Sequence, residues 1–282
     1  MGMDGAEPRL DDLRAAAVSV DAAQLSAACS NFHQAYPRRS AKRVLHFSQA
    51  LILALLAVGL VWCFRVAPAP TFNVLHIGAL ILFAIAILWR LLAASSLELQ
   101  LSRLAAPAQW PTYTILCPLY REAGVVPDLV AALNAFDYPK HALDIKLLVE
   151  GDDVDTLAAA LAVTGQPHIE VVIVPPAAPR TKPKALNAGL ALARGEFLTV
   201  YDAEDRPHPQ QLRAAVAAFE DGGERLACVQ APLEIDNADA AWIARQFAAE
   251  YAIQFREMLP LLARFALPLP LGGSSNHFRG LM

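Results

Sequence analysis

Two long stretches without a charged residue constrain this chain more than any other feature. Between Arg43 and Arg65 lie 21 residues, Val44 to Phe64, centred on ALILALLAVGLVWCF. Between Arg65 and Arg90 lie 24 more, centred on VLHIGALILFAIAILW. As helices rising about 1.5 Å per residue, both are long enough to cross a hydrocarbon core roughly 30 Å thick. A pair of buried core helices is the alternative, but soluble helices of this length usually carry a polar face. The connector RVAPAPTFN is short and holds two prolines, which predicts a helical hairpin. Trp62 and Trp89 sit near span ends, where indole rings prefer the interface. The basic run RRSAKR (38–43) precedes the first span, whereas the hairpin tip carries only Arg65. The positive-inside bias therefore places the N-terminus in the cytoplasm, and two crossings return the chain there. With 43 residues ahead of the first apolar run, a cleaved signal peptide does not fit. Residues 1–43 are alanine-rich and weakly helical, and the sequence assigns them no role.

Composition agrees, with 56% hydrophobic residues. The net charge of −4 gives no global pull toward nucleic acid. Cysteines at 29, 63, 117 and 228 lie far apart with no C-x-x-C, so neither a zinc site nor a disulfide scaffold is suggested.

From Thr112 onward strand and helix patterns alternate. TYTILC (112–117), DIKLLV (144–149), IEVVIV (169–174), FLTVY (197–201) and LACVQAP (226–232) read as strands. Residues 125–136 place Val126, Leu129, Val130 and Leu133 at helical spacing. DTLAAALAV reads as a short helix, KALNAGLALAR as a helix capped by Gly195, and PQQLRAAVAAF as the next. A long helical stretch runs from about Ala238 to Phe265. This alternation predicts an α/β fold, a mostly parallel sheet covered on both faces, with ligands at the carboxyl ends of the strands. No G-x-G-x-x-G and no G-x-x-x-x-G-K-[ST] occurs, which argues against dinucleotide and P-loop sites.

The polar residues gather at the strand exits. The first strand ends in CPLYRE, with Tyr120 and Glu122. The second ends in EGDDVDT, with Glu150, Asp152, Asp153 and Asp155. The fourth ends in DAED, with Asp202, Glu204 and Asp205. For Asp155 and Asp205 a helix-capping role and a site role both remain open. Capping does not account for Asp202 beside Glu204, because like charges that close repel unless a cation joins them. Oxygen-only ligands beside a loop suit Mg²⁺ or Mn²⁺ held together with a substrate's phosphates. PRTKPKALN supplies Arg180, Lys182 and Lys184 just before a helix, an arrangement that favours phosphate; a solvated charge run is the alternative.

The segments PTYTILCPLYRE, LLVEGDDVDT, KPKALNAGL, YDAEDRPHPQQL, CVQAPL and GGSSNHFRG occur in the order seen in family 2 glycosyltransferases of GT-A fold. Across about residues 110–280 the chain resembles the membrane-bound, cellulose-synthase-like polysaccharide synthases. The resemblance implies a GT-A-like domain and transfer of a sugar from a nucleotide diphosphate, most often UDP. It implies that Tyr120 and Glu122 lie by the nucleoside, Asp152 or Asp153 by the uracil or ribose, and Lys184 near the diphosphate. Asp202 and Glu204 match the D-x-D metal motif with Glu in the last place, so that Asp202 serves both nucleotide and metal. Gln230 and the loop with Ser275, Asn276 and His277 would face the acceptor. A metal clamp neutralises charge developing on the leaving diphosphate. An inverting transfer also needs a general base for the acceptor hydroxyl. In the family that base lies in a T-E-D segment beyond the FRR-like strand, followed by Q-x-x-R-W. This sequence stops at Met282, directly after NHFRGLM, and FRG departs from FRR. The base is therefore expected beyond Met282, and the chain reads as the donor half of a synthase.

The expected organisation is a cytoplasmic N-terminal segment (1–43), two transmembrane helices (about 44–65 and 72–94), a linker (96–110) and an incomplete GT-A-like domain (111–282). The expected protein is a multi-pass enzyme of the inner (plasma) membrane with a cytoplasmic catalytic domain. It would use a UDP-sugar and a glycan or lipid-linked acceptor, no nucleic acid, and polysaccharide-export partners would suit it. Three other readings stand beside a processive β-glycan synthase: a transferase onto polyprenyl phosphate, an inactive nucleotide-binding or assembly subunit, and a plain membrane-anchored binding module. Trp242, Phe247, Tyr251, Phe255 and Leu259 fall at helical spacing and read as core or membrane-surface contacts. Arg245, Arg256 and Arg264 would suit lipid headgroups.

Overall fold

The computed structural model of the chain describes residues 17–42, 44–96, 107 and 109–280. Residues 1–16 and most of the expected linker (97–106 and 108) lie outside the described residues. The chain divides into two compact units, one of residues 1–31, 100–233 and 270–282, the other of residues 32–99 and 234–269.

The first unit is built on a seven-stranded sheet. Its strands are β1 (Val18–Ser19), β2 (Tyr113–Leu119), β3 (Leu143–Glu150), β4 (Ile169–Val174), β5 (Phe197–Val200), β6 (Cys228–Gln230) and β7 (Asn276–Arg279). The spatial order is β1-β4-β3-β2-β5-β7-β6. The first five run parallel, and β7 runs antiparallel to both β5 and β6. This is the expected mostly parallel α/β sheet. The apolar runs form its centre because every residue of β3, and all but Pro118 of β2, is buried.

Alternate residues feed two cores, as the period of two demands. On one face Tyr113, Ile115, Cys117 and Leu119 of β2 pack with Ile145, Leu147 and Val149 of β3. That face is covered by α4 (Val126–Asn134), α5 (Val154–Val163) and α7 (Gln211–Gly222). The four α4 residues spaced for one face, Val126, Leu129, Val130 and Leu133, are all buried. Each such side chain contributes roughly 1.5–3 kcal/mol. On the other face Leu116, Leu148, Val172, Val174 and Val200 meet α6 (Lys182–Leu190). There α6 comes close to the sheet at Gly189, where an added Cβ would lie 2.7 Å from Leu148 Cδ1.

Residues 1–43 carry no expected role, yet part of them completes this second core. β1 pairs with β4 through Val18 and Ser19, covering the sheet edge. α1 (Ala22–Ala35) follows, and Val20 and Leu25 are buried against the α6 face. A two-residue strand is too short to show any period. Gly195 also differs from expectation. α6 ends at Leu190, and Gly195 lies where an added Cβ would come within 2.4 Å of Thr114 N. Its N–H donates to Thr114 Oγ1 at 2.8 Å. Close backbone approach, not helix capping, requires this glycine. Nearby, Asp144 is buried with Lys146 at 2.9 Å and Arg194 at 2.6 Å. Burial alone would raise its pKa, but Lys146, Thr114 and Arg194 outweigh it and hold the carboxyl below its usual range.

The second unit contains the two long helices, α2 (Phe47–Val66) and α3 (Pro68–Ser96). Both are long and apolar enough to cross a membrane, with mean hydropathy 2.2 and 2.4 over their most apolar windows. No residue of α2 is buried. The long helical stretch expected over about 238–265 runs without a break from Trp242 to Arg264 and changes pitch in its middle. α8 (Trp242–Ala252) passes through a π-helical turn (Ile253–Met258) into α9 (Leu259–Arg264), which has Pro260 in its first turn. Within this unit the ring of Phe265 lies 5.7 Å from that of Trp89.

Candidate active site

The chain visits β2, β3 and β4 in one direction and then returns to β5 on the other side of β2. The strand order therefore reverses at β2, and the carboxyl ends of β2 and β5 flank a crevice. Two cavities open there, of about 650 Å³ and 350 Å³, sharing Tyr120 and Arg180 in their walls.

The larger cavity is framed by the exits of β2 and β3. Arg121 adopts φ +60°, which turns the chain sharply after Tyr120. Its N–H donates to Asp153 Oδ2 at 2.5 Å, while Asp153 Oδ1 caps α5 by accepting from Thr156 N at 3.3 Å. The next N–H, of Glu122, donates to Thr156 Oγ1 at 3.0 Å. Thus the capping residues of α5 also hold the β2 exit. The Arg121 guanidinium lies 5.1 Å from the Tyr120 ring centroid. Arg180 closes the rim, donating to Tyr120 Oη at 3.3 Å and pairing with Asp152 Oδ2 at 2.5 Å.

The smaller cavity lies between the β2 and β5 exits and is lined by Glu122, Glu150, Lys182, Asp202 and Glu204, among others. Lys182 Nζ lies 2.5 Å from Asp202 Oδ1 and donates to Gly273 O at 2.7 Å. Asp205 Oδ2 accepts from Asp202 N at 2.7 Å, closing the turn after β5. Burial, reinforced by Asp202 and Glu204, pushes the Asp205 pKa up against the opposing hydrogen bonds from Ser274 and Asp202 N. Glu122 is likewise pushed up, by burial and then by Glu204, Asp202 and Asp153. Burial is the larger cause of both shifts, and the neighbouring carboxylates add a smaller part. Among the described residues no three His, Cys, Asp or Glu side chains could hold an ion by themselves. Asp202 and Glu204 offer hard oxygen donors on one cavity wall, which fits Mg²⁺ or Mn²⁺ whose remaining ligands are phosphate oxygens and water.

The structure brings Tyr120, Glu122, Asp152, Asp153, Asp202 and Glu204 to these two cavities. It does not bring Lys184. That side chain is buried, and its Nζ is held by Glu150 at 2.8 Å, Pro175 O at 3.2 Å and Ala177 O at 3.0 Å. The cavity ammonium of the basic run is Lys182, two residues earlier.

The four residues expected at the acceptor side line neither cavity. Gln230 accepts from Gly272 N at 3.0 Å and donates to Ser275 O at 3.2 Å, fixing the glycine-rich turn before β7. Asn276 donates to Gly272 O at 2.6 Å, and Ser275 is buried at φ +55°. His277 is wholly buried in the sheet, with Nδ1 2.6 Å from Tyr113 Oη and Nε2 3.3 Å from Gln211 Nε2. Burial pushes its pKa down to about 3. It is a core residue, because β7 inserts between β5 and β6. Arg121 and Thr156 were missed as site builders; their signal was the sharp strand exit, not their residue type.

This geometry defines a class: α/β proteins with a polar crevice at the carboxyl edge of a mostly parallel sheet, where strand order reverses. The family model for glycosyltransferase-like family 2 matches residues 111–279. The chain belongs to that family. Among curated proteins it is similar to "Probable glycosyltransferase YdaM" of Bacillus subtilis (strain 168), 27% identical over 138 residues, 48% of this chain and 32% of the relative. It is also similar to "Succinoglycan biosynthesis protein ExoO" of Rhizobium meliloti (strain 1021), 30% identical over 125 residues, 40% and 34% of the two chains. The chain spans about a third of the length of these relatives. A solved structure, the mannosyltransferase PcManGT from Pyrobaculum calidifontis in complex with GDP-Man and Mn²⁺, is 20% identical with a TM-score of 0.45, covering 68% of this chain and 58% of that one.

Proposed function

We propose that the chain is the donor-binding part of a membrane-anchored glycosyltransferase that moves a sugar from a UDP-sugar onto a growing β-glycan. The observation that carries this reading is the juxtaposition of Asp202, Glu204 and Lys182 in one cavity at the β2/β5 crevice. Tyr120, Asp152 and Arg180 would hold the nucleoside in the adjoining cavity. Lys182 would meet the diphosphate as a charge-assisted donor, the part the sequence had given to Lys184. A divalent metal held by Asp202 and Glu204 would neutralise negative charge on the departing diphosphate. Asp205 would keep the Asp202 backbone in place, and Gln230 would keep the glycine-rich turn in place beside Lys182.

Membrane anchoring rests on α2 and α3. Residues 17–31 and the strands from Tyr113 onward share one folded sheet, although the two long helices separate them in the chain. If those helices span a bilayer, both must do so, since only an even number of crossings returns the chain to one side. The basic residues Arg38, Arg39 and Lys42 favour the cytoplasm for that side, and the proposed setting is the plasma membrane. Residues 111–282 are then the catalytic domain and residues 44–95 its anchor. The test is UDP-sugar binding to membranes carrying the chain, with and without Mn²⁺, and product analysis with a longer protein that carries the chain together with the expected base. Metal-dependent binding and a polymeric product are expected. A glycolipid product would favour the polyprenyl phosphate reading, and no turnover of any UDP-sugar by the longer protein would refute the enzyme reading.

A further inference from the structure

We propose that Lys182 is a positioning residue that makes binding of the divalent cation conditional on the diphosphate. The inference rests on the donor-site reading above. The Lys182 ammonium is held at two points, 2.5 Å from Asp202 Oδ1 and 2.7 Å from Gly273 O. It therefore bridges the β5 exit and the glycine-rich turn before β7. Asp202 is the residue that would also ligate the metal. A bare divalent cation arriving there meets a carboxylate whose charge is already compensated, with a fixed positive charge beside it. Like charges at such a distance oppose one another.

A nucleoside diphosphate removes both obstacles. Its oxygens can take over the Lys182 hydrogen bonds, since an ammonium is a strong phosphate partner. The same phosphates complete the metal's oxygen shell. Each ligand thus improves the site for the other, which is positive coupling. The other nearby cations are not placed for this exchange. Lys184 is enclosed by Glu150 and two carbonyls, and Arg180 is held by Asp152 and Tyr120.

The experiment measures Mn²⁺ binding to the full chain in detergent micelles, from the paramagnetic resonance of free Mn²⁺, with and without UDP. The wild type is expected to bind Mn²⁺ alone about tenfold or more weakly than in the presence of UDP. Lys182→Met is expected to bind Mn²⁺ alone about tenfold more tightly than the wild type, with the coupling to UDP reduced. A purely structural lysine would not give a gain of affinity. If Lys182→Met gains nothing while the wild type binds UDP with Mn²⁺, the proposal falls and the donor-site reading stands. If the wild type binds no UDP with Mn²⁺, both fall. A second variant keeps the test open should Lys182→Met not fold. Asp202→Asn is expected to raise several-fold the rate at which an amine-reactive reagent labels Lys182, read by peptide mass spectrometry. An unchanged rate would overturn the proposal.

Discussion

His277 gives the fold a specific weakness toward acid. The side chain is wholly buried and stays neutral, with a pKa pushed down to about 3 by burial. In the unfolded chain an ordinary histidine titrates near 6.5. Between these two values the unfolded state binds the proton and the folded state does not. The stability that neutral His277 allows is therefore complete above about pH 6.5 and is lost progressively as pH falls toward 3. From pH 7 to pH 5 the loss is about 2 kcal/mol from this residue alone, at 1.36 kcal/mol per pKa unit. His168, also pushed down by burial and then by Lys140, acts in the same direction. Glu122 and Asp205, pushed up, act in the opposite one. The comparison must therefore be a difference between proteins. Urea unfolding in detergent, followed by circular dichroism at pH 7 and pH 5, is run on wild type and His277→Gln. Glutamine can still meet Tyr113 Oη and cannot be protonated. The wild type should lose about 2 kcal/mol more than the variant over this interval. Equal losses in the two proteins would refute the burial argument.

Two further predictions concern parts of the fold that hold the site. Lys184→Met leaves Glu150 buried without its ammonium and should destabilise the protein by about 3–5 kcal/mol in the same urea assay. A change under 1 kcal/mol would return Lys184 to the list of exposed, phosphate-facing cations. Leu25→Ala should cost about 2–3 kcal/mol, toward the low end for a core leucine because it lies beneath an edge strand. A neutral result would mean that residues 17–31 do not stabilise the sheet.

Five of the seven strands were legible in the sequence, the edge strand β6 among them, while β1 and β7 were not, for physical reasons. β2 announces itself as a largely apolar run because both faces are covered, and β3 shows the apolar Ile145, Leu147, Leu148 and Val149 around a buried Asp144–Lys146 pair. α4 is equally plain, since Val126, Leu129, Val130 and Leu133 fall on one side. β1 and β7 are not. Their pairing energy comes from partners far away in sequence, Val172 and Ile173 for β1, Leu198 and Val229 for β7. The carboxylates at the strand exits were readable because acidic residues after an apolar strand are unusual in kind and place. Which of Lys182 and Lys184 enters the cavity was not readable. The two are separated by one proline, and the choice depends on which face of α6 meets Glu150. His277 shows the same limit. A histidine in a glycine-rich segment looks like a loop residue until β7 is seen to pair on both sides.

The proposed function makes the acidic exit of β5 a metal-dependent clamp for a nucleoside diphosphate. The most direct measurement is UDP binding by calorimetry to the full chain in detergent, with Mn²⁺ and with chelator, for wild type and Asp202→Asn. Binding that requires both Mn²⁺ and Asp202 is the predicted result. UDP binding that is unchanged by chelator and by Asp202→Asn would contradict it.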